Sequence, residues 1–373
     1  MAQALEICVL GAGTVGMSQA LRILECQAQL GRPVKVTIIA DKMQAETTSY
    51  GSGGLWEPYQ ILGTPDDKVN SWGRISFDHF LQLLHSPDAA AAGVQLLTAY
   101  NLLQEHDRPQ EPSWRDIVFN FKHLTARDIS QMGLPAKFTH GFSFATLVIE
   151  QKYYRAYLTA KLEGLGATFL RQRVENLDAF IAGPQGRAFD VVINCTGIGA
   201  GALLDMPGDV YPIRGQVLRV HAPWVNNVFF WGSSYIIPNV DSVVLGGTAQ
   251  RDDWDTNPRE ADTAKILADV CDLFPAMKDA RVVNVWAGLR PGRTPLRLDC
   301  EHRAGKLVIH NYGHGGSGIT LAYGCADDVL RSLLIPNLAS LDGSRDAASS
   351  EPIASVQGPL YSMREWVRYK SRL

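Results

Sequence analysis

The sequence predicts an α/β fold, entered through a strand, a turn, a helix and a second strand. Three observations predict it. Leu5–Leu10 is an apolar run of strand length that ends against a glycine. Residues 11–16 read G-A-G-T-V-G and open a stretch of helical periodicity. Val34–Ala40 is a second apolar run, and an acid, Asp41, follows it.

Each element has a local reason. In the helical stretch Val15, Ala20, Leu21, Leu24 and Ala28 give a rough apolar face, and Gly31 with Pro33 stop it. The glycines fall where a G-x-G-x-x-G turn needs them. Gly11 makes the tight turn, Gly13 lets a pyrophosphate approach the backbone, and Gly16 lets helix and strand pack closely. The helix start at Thr14 and Val15 then holds negative charge, and Asp41 accepts hydrogen bonds from a ribose 2′-hydroxyl. An acid at 41 argues against a 2′-phosphate, hence against NADP. Further on, 153–165 reads as a helix leading into a strand over 167–171, and 189–197 (F-D-V-V-I-N-C-T-G) as another buried strand. The Rossmann-like sheet therefore resumes after a long insertion, and Cys195, Thr196 and Gly197 lie at its carboxyl edge, where ligands bind.

Composition narrows the class. At 373 residues the chain exceeds one small core, so two domains or one large composite are expected. Net charge is 35 − 38 = −3 with no basic tract, which speaks against nucleic acid or an anionic membrane as partner. No apolar run approaches the roughly 18 residues of a membrane span. The opening M-A-Q-A-L-E-I-C-V-L-G has no basic region and does not read as a signal peptide. Cysteines 8, 26, 195, 271, 300 and 325 show no C-x-x-C spacing. They read as reduced thiols of an intracellular protein, with no disulfide frame and no metal site. Residues 338–358, rich in Ser, Ala, Asp and Gly, read as a solvated tail.

Residues 311–318 read N-Y-G-H-G-G-S-G, ahead of a helical stretch with Ile319, Ala322, Val329, Leu330 and Leu333 on one face. Glycine costs roughly 1 kcal/mol relative to alanine in ordered structure. Gly313, Gly315, Gly316 and Gly318 therefore imply a close approach to bare backbone. A flavin ring edge at a helix N-terminus suits them, and with the strand at 189–197 this favours FAD over NAD.

The chain resembles the D-amino-acid oxidase and D-aspartate oxidase family, and within it the D-amino-acid oxidases more closely. The likeness is carried by V-L-G-A-G-T-V-G, S-Y-G-S-G-G-L-W-E-P-Y, V-V-I-N-C-T-G, P-I-R-G-Q, S-Y-I-I-P, L-G-G-T, G-L-R-P-G-R and H-N-Y-G-H-G-G-S-G. It implies a Rossmann-like FAD-binding domain in three pieces, 1–55, 146–205 and 285–335. A mainly antiparallel α+β substrate domain from 56–145 and 206–284 and a C-terminal tail, 336–373, complete the chain.

The resemblance also implies roles. Tyr235 and Arg290 bind the substrate carboxylate, Gly316 receives the amine on its carbonyl, and Tyr59 lines the pocket. A guanidinium offers a two-point fork that lysine cannot reproduce. Gly53, Gly54, Leu55, Val174, Gly318, Ile319 and Thr320, with Gly315 beside them, contact a non-covalent flavin; Thr47 and Thr48 lie near adenosine and pyrophosphate. The implied reaction is oxidative deamination of a D-amino acid by hydride transfer to flavin N5. It yields a 2-oxo acid, ammonia and, with O2, hydrogen peroxide, and no side chain serves as general base. Neither an NAD-dependent dehydrogenase nor a silent flavin-binding regulator accounts for all these motifs.

Departures from the family pattern bear on the substrate. Ala249 and a loop over 225–234 without basic residues stand where aspartate-specific members carry cations, with Arg251 two positions on as a partial substitute. Glu57 replaces a glutamine, repelling acidic side chains and welcoming cationic ones. The connection from Trp224 to Tyr235 is short, suggesting a reduced lid. Neutral or hydrophobic D-amino acids are expected, with basic ones allowed; D-aspartate, and glycine or sarcosine, are the alternatives. Ser371-Arg372-Leu373 resembles a peroxisomal address read by an import receptor. A homodimer is allowed by the sequence.

Overall fold

The computed structural model describes residues 3–108 and 110–341, and the strands among them join one sheet. In chain order these are β1 (Leu5–Leu10), β2 (Val34–Ala40), β3 (Val94–Gln104), β4 (Phe119–Thr125) and β5 (Phe138–Ile149). Then come β6 (Thr168–Arg171), β7 (Val191–Asn194), β8 (Tyr211–His221), β9 (Val228–Trp231) and β10 (Ser234–Pro238). The last are β11 (Val243–Gly246), β12 (Gln250–Arg251), β13 (Arg281–Arg303) and β14 (Lys306–His314). Their order in the sheet is β4-β5-β3-β9-β10-β11-β8-β13-β14-β7-β1-β2-β6, with β12 beside β8.

The two halves of this sheet differ in kind. From β14 through β7, β1 and β2 to β6 every pairing is parallel. Its central strands β1 and β7 are buried on both faces, which is why Leu5–Leu10 and Val191–Asn194 read as apolar runs rather than alternating ones. Helix Thr14–Glu25 covers one face between β1 and β2, and helix Gln151–Gly164 precedes β6. From β8 outward the sheet is antiparallel apart from β3 against β9. Helix Glu260–Leu273 closes a second core over it, through Ile266, Val270 and Leu273 against Leu218, Val220 and Leu245.

β13 belongs to both halves. Residues 281–292 pair with β8, 292–303 pair with β14, and the register shifts between Gly292 and Arg297 where the partner changes. Up to Leu338 the described residues form one compact unit. Residues 342–373, with Ser371-Arg372-Leu373, lie outside the described residues.

Three local expectations are corrected. Ala28 is exposed and does not extend the first helix's apolar face, because that helix ends at Glu25 and a 3-10 turn follows. The strand expected over 189–197 is confined to Val191–Asn194, since Gly197 at φ +58° starts a short helical turn. The buried position in the last helical stretch is Leu334, not Leu333: Val329–Leu334 winds as a π-helix, and the added residue in that turn rotates the face. All six cysteines are free thiols. Among the described residues no helix is long and apolar enough to cross a membrane.

Candidate active site

The turn after β1 is built as its glycines require. Gly11 has φ +106°, and a Cβ there would run into the Cys195 carbonyl at the end of β7. A Cβ on Gly16 would overlap the Gly11 carbonyl. Thus Cys195 serves as packing beneath the turn, and burial pushes its thiol pKa up. Gly13 is the N-cap of helix Thr14–Glu25 and supplies no side-chain cap. Thr14 donates its backbone N–H to Ser49 Oγ at 3.1 Å and its hydroxyl to Gln151 Oε1 at 2.7 Å. Asp41 is exposed just past β2, Thr196 donates its hydroxyl to Asn194 Oδ1, and Val174 packs near Leu177 and Phe180. Thr47 is buried, its hydroxyl donated to the Gln44 carbonyl.

Two hydroxyls join the W-E-P-Y segment to the late glycine run. Tyr59 N–H donates to Ser317 Oγ at 2.8 Å, and that hydroxyl donates back to the Tyr59 carbonyl at 2.9 Å. Thr320 repeats the pattern with Glu57, accepting from its N–H at 3.3 Å and donating to its carbonyl at 2.9 Å. A Cβ on Gly315 would strike the Gln60 carbonyl, and one on Gly316 would meet the Tyr59 ring and carbonyl. At these two positions glycine is required by the approach of residues 59–60. That corrects the expectation that a flat ring alone explains the run. Gly318 opens helix Gly318–Asp328, whose N-cap Ser317 makes no side-chain cap because its hydroxyl is engaged with Tyr59.

These elements enclose a cleft of about 170 Å³. Glu57, Tyr59, Tyr235, Arg290 and Gly316 line it, as do Thr48, Gly53, Gly54, Leu55 and Ile319. Gly11, Gly13, Thr14, Val15, Gly16, Asp41, Thr47, Val174, Cys195, Thr196, Gly197, Gly315, Gly318 and Thr320 are not on its wall. The turn formed by Gly11, Gly13 and Gly16 lies at the carboxyl ends of β1, β2 and β7. The backbone at 52–53 is held from behind: Arg219 donates to the Ser52 carbonyl at 3.0 Å and Asn239 to the Gly53 carbonyl at 3.0 Å.

The cleft side chains share one mode of packing. Tyr235 lies over Gly246 and Gly247, Trp286 over Gly51 and Gly288, and Arg290 over Gly215, at distances no Cβ would tolerate. Arg290 is anchored by Nη1 to the Thr248 carbonyl at 2.9 Å, and its guanidinium lies 5.6 Å from the Tyr59 ring centroid. Its charge and hydrogen bond partly offset the burial that raises the Tyr235 pKa. The phenol therefore stays protonated at neutral pH, a donor beside a cation. Burial alone pushes the Glu57 carboxyl up to about 8.

Residue-by-residue reading missed Ser49, Gly215, Phe230 and Trp286. Gly215 lay in P-I-R-G-Q, whose glycine carried a signal; the others stand in unremarkable local sequence. Arg251 is not on the cleft wall. It is exposed, over the Tyr211 ring at 3.8 Å and beside Asp252, so it does not stand in for a cation at 249. Residues 232–233 form a two-residue turn between β9 and β10, with Gly232 at φ +55°, and this hairpin edges the cleft.

A dinucleotide fits these residues. The turn at 11–16 is a cradle that Cβ atoms would fill, and the N-cap residues of the two helices that start at Thr14 and Gly318, Gly13 and Ser317, make no side-chain cap. An acid stands past β2, and a cleft adjoins 48–55. The comparisons agree. The DAO family, described as FAD dependent oxidoreductase, matches residues 6–331. The chain is 35% identical to human D-aspartate oxidase over 334 residues, covering 87% of this chain and 94% of that one. It is 36% identical to D-amino-acid oxidase of Rubrobacter xylanophilus over 326 residues, covering 86% and 93%. Among solved structures, glycine oxidase from Bacillus cereus shares the fold with a TM-score of 0.71 at 18% identity, over 92% of this chain and 100% of that one. Sequence, cradle and relatives converge, and the chain belongs to the DAO family of FAD-dependent oxidoreductases.

Proposed function

We propose that the protein oxidatively deaminates neutral or hydrophobic D-amino acids, with basic ones accepted, to 2-oxo acids and ammonia. One observation carries the substrate class. Among the residues lining the cleft Arg290 is the only cation and Glu57 the only carboxyl. An α-carboxylate uses the cation, and a second, side-chain carboxylate then has no cation left to pair with. Human D-aspartate oxidase is nevertheless a relative, so D-aspartate belongs in the test.

Arg290 and the Tyr235 hydroxyl bind and orient the carboxylate, the guanidinium being already fixed by Thr248 and Gly215. Gly316, held at the cleft wall by residues 59–60, presents its carbonyl to the amine. FAD bound beside them would supply the redox chemistry, as acceptor of the hydride from the substrate Cα and donor of electrons to O2, with hydrogen peroxide as product. Glu57 and Tyr235 both keep their protons at pH 7, which supports a reaction in which neither draws a proton from substrate. The open hairpin at 232–233 supports substrate exchange without a long lid.

The test is an anaerobic visible spectrum of the FAD-loaded protein. Flavin bands should bleach with D-alanine and D-arginine, and persist with L-alanine and D-aspartate. Faster bleaching by D-aspartate, or bleaching only by glycine or sarcosine, would replace the proposed class.

A further inference from the structure

Two arginines among the described residues are fully buried, and they are housed in opposite ways. Arg214 on β8 uses every donor. It reaches Asp262 Oδ2 at 2.7 Å, Gln250 Oε1 at 2.7 Å, Gln216 Oε1 at 2.9 Å, and the carbonyls of Asp255 at 2.8 Å and Asn257 at 2.7 Å. Arg155, on helix Gln151–Gly164, makes one bond, from Nη2 to the Ala12 carbonyl at 2.7 Å. Its Nε and Nη1 are sealed from solvent without a partner. No carboxylate holds its charge among the described residues; burial alone acts on it, lowering its pKa to about 10, so it is cationic at neutral pH.

A buried charge without a counter-charge is strongly destabilising. A second observation says where the counter-charge belongs. Ala12 is the middle of the Gly11-Ala12-Gly13 turn, and Gln151, four residues before Arg155 on the same helix face, accepts the Thr14 hydroxyl. One helix thus reaches the whole turn from Ala12 to Thr14 with two side chains. At that turn Gly13, the N-cap of helix Thr14–Glu25, supplies no side-chain cap, and the first amide, Thr14 N–H, donates to Ser49 Oγ at 3.1 Å.

We propose that Arg155 is a cofactor-binding residue acting through charge: held beneath the turn by Ala12, it is the buried counter-ion of the FAD diphosphate. Two consequences separate this from a structural arginine. Apoprotein carries the unpaired cation as a burden, and the diphosphate part of the cofactor, not its adenosine, senses it.

Calorimetric titration of apoprotein with FAD, ADP and adenosine, beside thermal melts, tests both. Arg155→Met should bind FAD and ADP about tenfold or more weakly, leave adenosine affinity unchanged, and raise the melting temperature of apoprotein. Arg155→Lys, which keeps the charge, should stay within about threefold of wild type for FAD and ADP. The assignment is overturned if Arg155→Met binds FAD and ADP like wild type, or loses adenosine equally. It is also overturned if the methionine variant melts below wild-type apoprotein or does not fold, because the arginine then supports the apo fold.

Discussion

The Arg290 guanidinium lies face-on over Gly215. A Cβ at 215 would meet its Cζ, Nη1 and Nη2 at nearly the same distance, and Nη1 is tied to the Thr248 carbonyl. The two residues stand on adjacent antiparallel strands, Arg290 paired with Ile213 and Gly215 with Gly288, so the contact is diagonal across β13 and β8. The carboxylate clamp proposed for this cleft is thus oriented by a missing side chain. Gly215→Ala should move the guanidinium and raise KM for D-alanine about tenfold or more, since small displacements of an oriented group are costly. Affinity for FAD should change little. Steady-state kinetics beside a flavin titration reads both, and an unchanged KM would show that the glycine is dispensable.

Arg290→Ala removes the only cation of the cleft wall. We expect a loss in kcat/KM worth about 2–5 kcal/mol, mostly in KM, with FAD still bound. Arg290→Lys should recover part of it, because one ammonium replaces a fork. Loss of flavin from the alanine variant would move Arg290 from substrate to cofactor.

Tyr235→Phe keeps a ring over Gly246 and Gly247 and removes the hydroxyl beside Arg290. A hydrogen bond to a charged partner contributes about 1.5–3 kcal/mol. The variant should lose that much in kcat/KM for D-alanine with its melting temperature little changed. Equal kcat/KM would leave the carboxylate to Arg290 alone.

Glu57 makes stability depend on pH in a definite direction. Its folded pKa, about 8, stands above the ordinary carboxyl value of 4.5. The folded state therefore holds a proton that the unfolded state releases. Below about pH 4.5 the group is neutral in both states; between 4.5 and 8 each rise in pH favours unfolding, and above 8 the loss is complete. Glu57→Gln should remove this slope, so the apoprotein variant gains melting temperature over wild type at pH 8–9 and little at pH 4. It should also lower the preference for D-arginine over D-alanine most at pH 9, where the wild-type carboxyl is ionised. Parallel pH profiles for the two proteins would contradict both statements.

Gly16→Ala puts a methyl against the Gly11 carbonyl, next to Cys195. Overpacking of this kind costs about 1–3 kcal/mol, and here it distorts the cofactor turn. A lower melting temperature together with weaker FAD binding is expected; full FAD affinity would show that the turn can give way.

Much of the cofactor half was legible locally. A strand of Leu5–Leu10, a turn of Gly11, Gly13 and Gly16, and a strand of Val34–Ala40 are read correctly because each follows from a few neighbouring residues. The errors arise where one residue changes the geometry: the π-helical turn that exchanges Leu333 for Leu334, and the early stop that leaves Ala28 outside its helix. The glycines at 315 and 316 were flagged, but their reason lies about 255 positions away, in Tyr59 and Gln60.

By itself the sequence determined the groups available: a glycine turn after the first strand, an acid after the second, the arginine and tyrosine proposed to bind a carboxylate, and a carboxyl at position 57. Local periodicity and the steric needs of glycine are written in adjacent residues, so they survive without coordinates. Only the tertiary structure decided which groups share a cleft, that Arg251 sits over Tyr211 outside it, and that Arg214 is satisfied while Arg155 is not. Those facts depend on burial and on partners brought together across β8, β13 and helix Gln151–Gly164. The environment of a charge is a property of the packed chain and not of the residue that carries it.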